Sequence, residues 1–199
     1  QSATDVPGFS DMRVVINMDP PEHRKVRKVA SPWFTPRALS TIDASIEESA
    51  EHLVNALVEK SESLADLATD VAVKHPLRIL STALGIPRDE EGKILDLTNR
   101  LFGADDEEIG GGAQPEDFAQ LGMEFVQLFL PIIQNRRENP TADLASVLAN
   151  GTIDGEAMGP METLGYYLIV FNAGHDTTKN ALAGGIRALV EHPEQYEKL

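Results

Sequence analysis

The chain has 199 residues, of which 42% are hydrophobic and 25% charged, and its formal net charge is −15 at pH 7. This length and composition suit one globular domain, or a large part of one, and exclude general disorder, while the absence of cysteine excludes disulfides, thiolate zinc sites, iron–sulfur clusters and a cysteine nucleophile. A pI near 4.6 argues against nucleic acid as a partner, and the lack of a leader or of any run of about 18 apolar residues predicts a cytoplasmic protein that enters no membrane.

The first predicted helix opens at the run Asp19-Pro20-Pro21-Glu22. Proline fits a first helical turn, where backbone donors have no partner, and acidic side chains favour the positive end of the helix dipole. Pro32 and Pro36 end the helix, because proline cannot continue one. The sequence therefore predicts a short helix bounded by proline on both sides.

This first helix carries a basic patch. Four of the 17 basic residues fall within positions 23–28, although the chain as a whole is acidic. Such a patch faces a specific anion or an acidic partner, or it is simply a solvated helix face. His23 and Arg27 are four residues apart and share one face, where two donors near a helix N-terminus suit a carboxylate or phosphate; an unrelated surface pair is the alternative.

The middle of the chain reads as a series of helices, and no strand with clear alternation appears. Gly85-Ile86-Pro87 and Asn139-Pro140 are helix stops. The stretch from Glu107 to Pro115 contains Gly110-Gly111-Gly112 and predicts a mobile loop, either a plain linker or a lid. Apolar spacing predicts helical segments over 38–58, 77–84, 88–103, 116–137 and 141–148.

The longest predicted helix runs from about Glu156 to Glu191. Its centre, 172–178, contains a glycine and five other weak helix formers, which cost about 4 kcal/mol in total relative to alanine. Because both flanks are strongly helical, the sequence predicts a bend at this point. Gly174 would let another group approach the backbone, and the hydroxyl of Thr177 or Thr178 would bond back to a carbonyl four residues earlier.

Asp176 and Thr177 place a carboxylate beside a hydroxyl in this weak centre. On a bent helix that faces a cavity, the pair can relay protons to a bound, reducible group; a locally satisfied helix bend is the alternative. His175 beside Asp176 also permits a metal site, since His-Asp pairs occur in all-helical metal phosphohydrolases. That interpretation needs further ligands, for which His52 and His75 are available, although a hydrogen-bonded histidine in an amphipathic segment explains each of them.

Three motifs, in order along the chain, resemble bacterial cytochromes P450. Asp19-Pro20-Pro21-Glu22-His23-x-x-x-Arg27, followed by Phe34-Thr35-Pro36, is similar to the start of that family's C helix. Asn139-Pro140-Thr141-Ala142-Asp143-Leu144 resembles the family's Asn-Pro-Thr-Asp-Asp-Leu segment, with alanine in place of one aspartate. Ala173-Gly174-His175-Asp176-Thr177-Thr178 resembles the oxygen-binding motif of the I helix. The resemblance implies a mostly α fold, the central helical part of a cytochrome P450 from the C helix to a long, kinked I helix.

The resemblance gives roles to residues near both ends of the chain. It implies that His23 and Arg27 hold the propionates of haem b, in agreement with the anion site that their spacing suggests. It also implies that Asp176 and Thr177 are catalytic and deliver protons to the oxygen being reduced. The loop that contains the three glycines would lie over the substrate entrance, which favours the lid interpretation.

Four further residues of the last helix would line the haem and substrate sites by the same resemblance. Ala173 and Gly174 would lie against the haem and leave room for oxygen. Ile169, one turn earlier, and Asn172, directly before Ala173, would point into the distal substrate pocket. Cofactor contacts and substrate contacts would then lie close together on one helix.

The resemblance also implies an activity and its partners. Members of the family are haem-dependent monooxygenases that insert one oxygen atom from O2 into an apolar small molecule, such as a terpenoid, a sterol or a fatty acid. Electrons come from a ferredoxin and its NAD(P)H-dependent reductase. Arg24, Lys25 and Lys28 would lie near the surface where an acidic ferredoxin docks.

Two parts of the family's pattern have no counterpart in this sequence. The family has a Glu-x-x-Arg pair and a cysteine-containing haem loop after the I helix, so we expect the axial cysteine beyond Leu199. Gln1 falls in the connection before the C helix, so the N-terminal β-rich part is also expected outside these residues. We therefore expect 1–199 to be a partial cytochrome P450 domain that is inactive by itself. The alternatives are a non-catalytic haem- or ligand-binding remnant of that fold and the metal phosphohydrolase.

Overall fold

The structure is a computed structural model that describes residues 13–60, 65–102 and 115–198. Helices dominate it, so the predicted mostly α fold is confirmed, while the loop with three glycines lies outside the described residues. None of the helices within these ranges combines the length and apolar character that a membrane span needs. The elements are α1 (Glu22–Ala30), α2 (Pro36–Leu39), α3 (Asp43–Glu59), α4 (Lys74–Ala83), α5 (Glu91–Phe102), α6 (Pro115–Glu138), α7 (Leu144–Ala149), β1 (Thr152–Ile153), β2 (Glu156–Ala157), α8 (Pro160–Glu191) and α9 (Pro193–Tyr196).

The first helix, α1, begins and ends where its flanking prolines predict. It starts at Glu22, directly after Pro21, and ends at Ala30, two residues before Pro32. Val26 and Ala30 are its buried residues and join the hydrophobic core. Its basic side chains therefore remain on the outer faces of the helix.

The helix predicted over 38–58 is interrupted. α2 ends at Leu39, and a 3-10 turn over Ser40–Ile42 separates it from α3. The hydroxyls of Ser40 and Thr41 donate to carbonyls three residues earlier, at 2.9 Å and 2.6 Å. Such local bonds compete with regular helix, which accounts for the break.

The stop after α4 is confirmed. Gly85 has a φ of +66°, in the left-handed region that favours glycine. The N–H of Ile86 donates to the carbonyl of Ser81 at 2.8 Å and closes the turn. A Cβ at position 85 would lie 2.8 Å from the guanidinium of Arg136, so any other residue here would have to displace that side chain as well as adopt the left-handed φ.

The long helix α8 starts at Pro160, four residues later than predicted, because the preceding residues form a small hairpin. β1 and β2 pair antiparallel, with Ile153 opposite Glu156. Asp154 and Gly155 make the turn, both with positive φ. An Asp-Gly pair favours such turns, and this is the signal that the sequence analysis missed.

The buried face of α8 forms the centre of the core. α8 packs against α4, α6 and α7, and also against the π-helical turn Ala68–Ala72 that precedes α4. Tyr167 is fully buried, and its hydroxyl donates to the carbonyl of Ala145 at 2.6 Å. Its ring contacts that of Phe129 at a centroid distance of 5.3 Å. These contacts leave the opposite face of α8 turned toward α1.

Candidate functional site

A cleft of about 720 Å³ lies between α1 and the middle of α8. This volume falls within the range of roughly 300–1,000 Å³ that is typical of sites for cofactors and small ligands. Among the residues that the structure describes, most of the lining side chains are apolar and none is a carboxylate. The lining residues are Val15, Ile16, His23, Arg27, Ser31, Phe34, Leu80, Tyr166, Ile169, Val170, Ala173 and Gly174.

His23 and Arg27 line the cleft from α1, one helical turn apart. Neither the imidazole nor the guanidinium has a hydrogen bond or an ion pair with any described residue, whereas the Arg27 backbone carbonyl accepts a bond from Ser31 at 2.9 Å. A cation without a partner beside a mostly apolar cleft fits an anionic ligand, because charge-assisted hydrogen bonds would satisfy its donors.

At the centre of the cleft wall, α8 carries only small side chains. Ile169 and Ala173 lie one turn apart on the cleft side, and Gly174 follows. A Cβ at Gly174 would lie 2.8 Å from a methyl carbon of Leu80, so glycine is what allows the α4 side chain to approach α8 here. The structure thus brings three of the predicted α8 residues to the same cleft as His23 and Arg27.

Asp176 and Thr177 are not among the lining residues; Thr177 lies one turn beyond Ala173 on the same side of α8. The Thr177 hydroxyl donates to the Ala173 carbonyl, which is the back-bond that the sequence predicts. The Asp176 carboxylate forms an ion pair with Lys179 at 2.7 Å and accepts a hydrogen bond from Asn180. The sequence predicts a bend at 172–178. The helix is continuous through these residues, so a bend there does not interrupt it.

Asn172 and His175 lie on the buried face of α8. Asn172 is expected from the sequence to point into the substrate pocket, but it is 6% exposed and is not among the residues that line the cleft. It precedes Ala173 by about 100° of helical rotation, which turns it toward the core. His175 is fully buried, with Nε2 3.0 Å from the carbonyl oxygen of Val73.

The histidines of the alternative metal site have different partners. His175 contacts Val73, and Nδ1 of His75 lies 3.0 Å from the hydroxyl of Ser49. His52 lines a separate cleft between α3, α4 and α5. Within the described ranges, no three His, Asp or Glu side chains come together to bind a metal ion.

The sequence predicts five of the twelve lining residues, and Tyr166 and Leu80 are among the seven that it missed. Tyr166 lies three residues before Ile169 on the same face of α8, so helical periodicity was the signal for it. Its hydroxyl is 3.4 Å from the Arg27 carbonyl, which connects α8 to α1. Leu80 reaches the cleft from α4, and no local pattern predicts it because its position depends on how α4 packs on α8.

The basic patch on α1 divides into a paired and an unpaired part. Lys25 forms an ion pair with Asp154 in the hairpin turn, and that hydrogen bond raises the pKa of Lys25. Arg24 and Lys28 are exposed, and neither forms an ion pair with a described residue. Of the three cations predicted to lie on a partner surface, Lys25 is thus paired within the chain, and Arg24 and Lys28 are available to an acidic partner.

Comparison with known proteins identifies relatives over almost the whole chain. The chain is 34% identical over 185 residues, 92% of its length, to a steroid C26-monooxygenase of Rhodococcus jostii. It is 33% identical over 187 residues, 90% of its length, to cytochrome P450-terp of a Pseudomonas species. A solved structure of a Mycobacterium marinum cytochrome P450 in complex with pseudoionone is 29% identical, with a TM-score of 0.86 over 96% of the chain. No family model matches the chain.

The chain spans less than half the length of these relatives. It covers 38% of the Rhodococcus protein and 44% of the Pseudomonas protein. It likewise covers 46% of the solved Mycobacterium marinum chain. Over this shared part, the helices described above follow the fold of the solved structure.

Proposed function

This chain belongs to the cytochrome P450 family, and from that premise we propose that it is the central part of a haem-dependent monooxygenase that acts on an apolar small molecule. The observation that carries the proposal is the cleft between α1 and α8. There His23 and Arg27, without partners among the described residues, line the same space as Ala173 and Gly174. A cleft with a basic edge and a wall without bulk fits haem, a flat apolar ring with two carboxylates.

His23 and Arg27 are the residues that would hold the haem propionates through charge-assisted hydrogen bonds. The chain contains no cysteine, so a thiolate ligand to the iron would come from outside these 199 residues. When bound, the haem supplies the centre at which O2 is reduced by two electrons and two protons, with one oxygen atom entering the substrate and the other leaving as water.

The residues of α8 would divide the remaining work. Ala173 and Gly174 leave space beside the cofactor, and Ile169 keeps that wall apolar. Asp176 is partly exposed and would take up protons from solvent. The Thr177 hydroxyl would pass them toward the cleft, because a hydroxyl both donates and accepts.

An apolar substrate is supported by the lining of the cleft and by a relative named as a steroid monooxygenase. A terpenoid, a sterol or a fatty acid would satisfy this chemistry. Arg24 and Lys28, both exposed on α1, would receive an acidic ferredoxin that delivers electrons from NAD(P)H through its reductase. Residues of this surface would set the association rate more than the affinity.

The proposal is tested in the full-length protein by measuring NAD(P)H, peroxide and product together. Thr177→Ala should leave substrate binding nearly unchanged but divert electrons to peroxide, since the hydroxyl that passes protons is gone. Thr178→Ala is the matched control, because its side chain points about 100° further round the helix. An equal effect of the two substitutions would reject the role of Thr177. Failure of the full-length protein to bind haem would reject the monooxygenase and leave a non-catalytic module.

A further inference from the structure

The buried face of α8 carries a titratable group that the proposed reaction does not use. His175 has no exposed surface, although it stands between Gly174, which lines the cleft, and Asp176. One of its ring nitrogens, Nδ1, is buried and has no hydrogen-bond partner among the described residues. A buried polar side chain is costly unless its hydrogen bonds recover the lost hydration, so its other contact needs an explanation.

That contact shows which ring nitrogen donates. Nε2 of His175 lies 3.0 Å from the backbone carbonyl oxygen of Val73. A carbonyl only accepts hydrogen bonds, so Nε2 carries a hydrogen and donates it. Burial lowers the pKa of His175 and so favours the neutral ring, in which Nδ1 carries no hydrogen. The side chain is therefore a neutral donor with one defined tautomer.

The acceptor belongs to an irregular segment far away in the sequence. Val73 directly follows the π-helical turn Ala68–Ala72, and the hydrogen bond joins residues 102 positions apart. π-Helical turns are rare and are frequent at functional sites. The ring of His175 is also stacked on that of Phe171, one turn earlier, with centroids 5.6 Å apart and planes 16° from parallel. Both the position and the plane of the imidazole are thus set.

The geometry of a helix connects this contact to the cleft. Ala173 and Thr177 each lie two residues from His175, or about 200° of rotation, which puts them on the opposite side of α8. α8 is a continuous hydrogen-bonded helix through this region. Fixing His175 against Val73 therefore fixes the direction in which Ala173 and Thr177 face.

We propose that His175 is a positioning residue: its hydrogen bond to Val73 sets the rotation of α8 so that Thr177 lies on the side of the helix that forms the cleft wall. This contact, which we call the His175 latch, joins α8 to the turn before α4. Its existence is a property of the fold, whereas its effect on proton delivery rests on the proposed function. The latch acts without touching the cofactor, the substrate or the transferred proton.

The test compares His175→Gln with His175→Met in the full-length protein. The two replacements are similar in length, but only glutamine has an amide N–H that can donate to the Val73 carbonyl. The first measurement is hydrogen–deuterium exchange in peptides covering 66–74 and 169–178. The second is the yield of product per NAD(P)H, with peroxide measured alongside.

His175→Met should speed exchange about fivefold in both segments, which corresponds to the loss of one buried hydrogen bond, and should raise peroxide at the expense of product. His175→Gln should return both measurements to within about twofold of the original protein, if one hydrogen bond carries the effect. Equal behaviour of the two variants would overturn the latch, as would unchanged exchange in His175→Met.

Two further outcomes separate this inference from the proposed function. Faster exchange in His175→Met with unchanged product yield would mean that the latch is only structural, and the positioning role would be rejected. If the full-length protein oxidises no substrate, the proposed function fails. The latch is then judged by the exchange of 66–74 and 169–178 alone, since that readout needs no activity.

Discussion

Two arginines show how differently the two polar regions of this molecule are built. Arg136, at the corner between α6 and α7, donates to the Asp143 carboxylate at 2.7 Å and to the Asn135 side chain at 2.9 Å. Arg27, in the cleft, has no side-chain partner among the described residues. In the corner, the guanidinium of Arg136 is hydrogen-bonded to neighbouring side chains. In the cleft, the guanidinium of Arg27 is available to a ligand.

This difference separates a structural motif from a binding motif. Asp143 also accepts a hydrogen bond from the N–H of Ser146 at 2.8 Å and so caps α7. Both regions contain residues of family motifs, but in the described part of the chain the cleft contains an imidazole and a guanidinium without partners, whose donors an added ligand would satisfy. The polar groups that the fold leaves unpaired are therefore better markers of the site than motif matches alone.

The largest effect is expected in the corner. Asp143→Ala removes the cap of α7 and leaves Arg136 without its carboxylate, so we expect the free energy of unfolding to fall by about 2 kcal/mol. Urea unfolding of the full-length protein measures this. Glu191→Ala is the control, since its ion pair with Arg187 is exposed and should contribute less than about 0.5 kcal/mol. Equal losses from Asp143→Ala and Glu191→Ala would contradict the comparison.

The second effect is expected in the cleft and concerns binding. Arg27→Ala should weaken haem binding about tenfold or more, because a charge-assisted hydrogen bond to a propionate is lost. It should change the stability of the haem-free protein little, since the guanidinium has no partner among the described residues. Haem titration and urea unfolding of the apoprotein measure the two quantities.

Two further substitutions on α1 sharpen this result. His23→Ala should act in the same direction as Arg27→Ala, and the double variant should be non-additive because both residues serve one ligand. Lys28→Ala, on the same helix, should leave haem affinity unchanged and slow electron delivery from an acidic partner at low salt. Unchanged haem affinity in Arg27→Ala would mean that this face of α1 does not hold the cofactor.

The sequence predicted cleft residues that share one helix, but not those that depend on contacts between helices. His23 and Arg27 share a face by their spacing of four residues, and Ile169 and Ala173 do the same, so the helical period alone places each pair. Leu80 depends on how two distant helices pack, and no local pattern carries that information. Residues of one helix were therefore predictable, whereas contacts between helices were not.

Local geometry also decides two positions that a pattern of apolar residues does not. Asn172 is buried on the core side of α8, about 100° from Ala173 and outside the lining of the cleft, so its place in the substrate pocket stays a prediction. The break at Ser40–Ile42 arises from hydroxyl bonds that outcompete the helix, although the apolar spacing continues through it. In both cases the structure depends on the local geometry of one or two residues, which a pattern of apolar residues does not report.

The smallest effect is a difference in acid sensitivity between α8 and the corner. Burial lowers the pKa of His175 in the folded protein below that of the unfolded chain, about 6.5. The unfolded chain therefore binds a proton more readily, and the stability that neutral His175 contributes is present above pH 6.5 and is lost as the pH falls further. His75 is shifted in the same direction by burial, so it contributes to the same pH range.

Asp143 acts at lower pH. Burial raises its pKa, but hydrogen bonds from Ser146 and from Arg136 outweigh that effect and hold the pKa below its ordinary value of about 3.9. Its contribution is present above that value and is lost as the pH falls through the folded pKa. The midpoint of urea unfolding should therefore become less sensitive to pH from about 6.5 downward in His175→Gln, and only below about 4 in Asp143→Asn. Were both variants to lose sensitivity in the same range, the α8 histidine and the corner carboxylate would not titrate independently, and the contrast between the two regions would not hold.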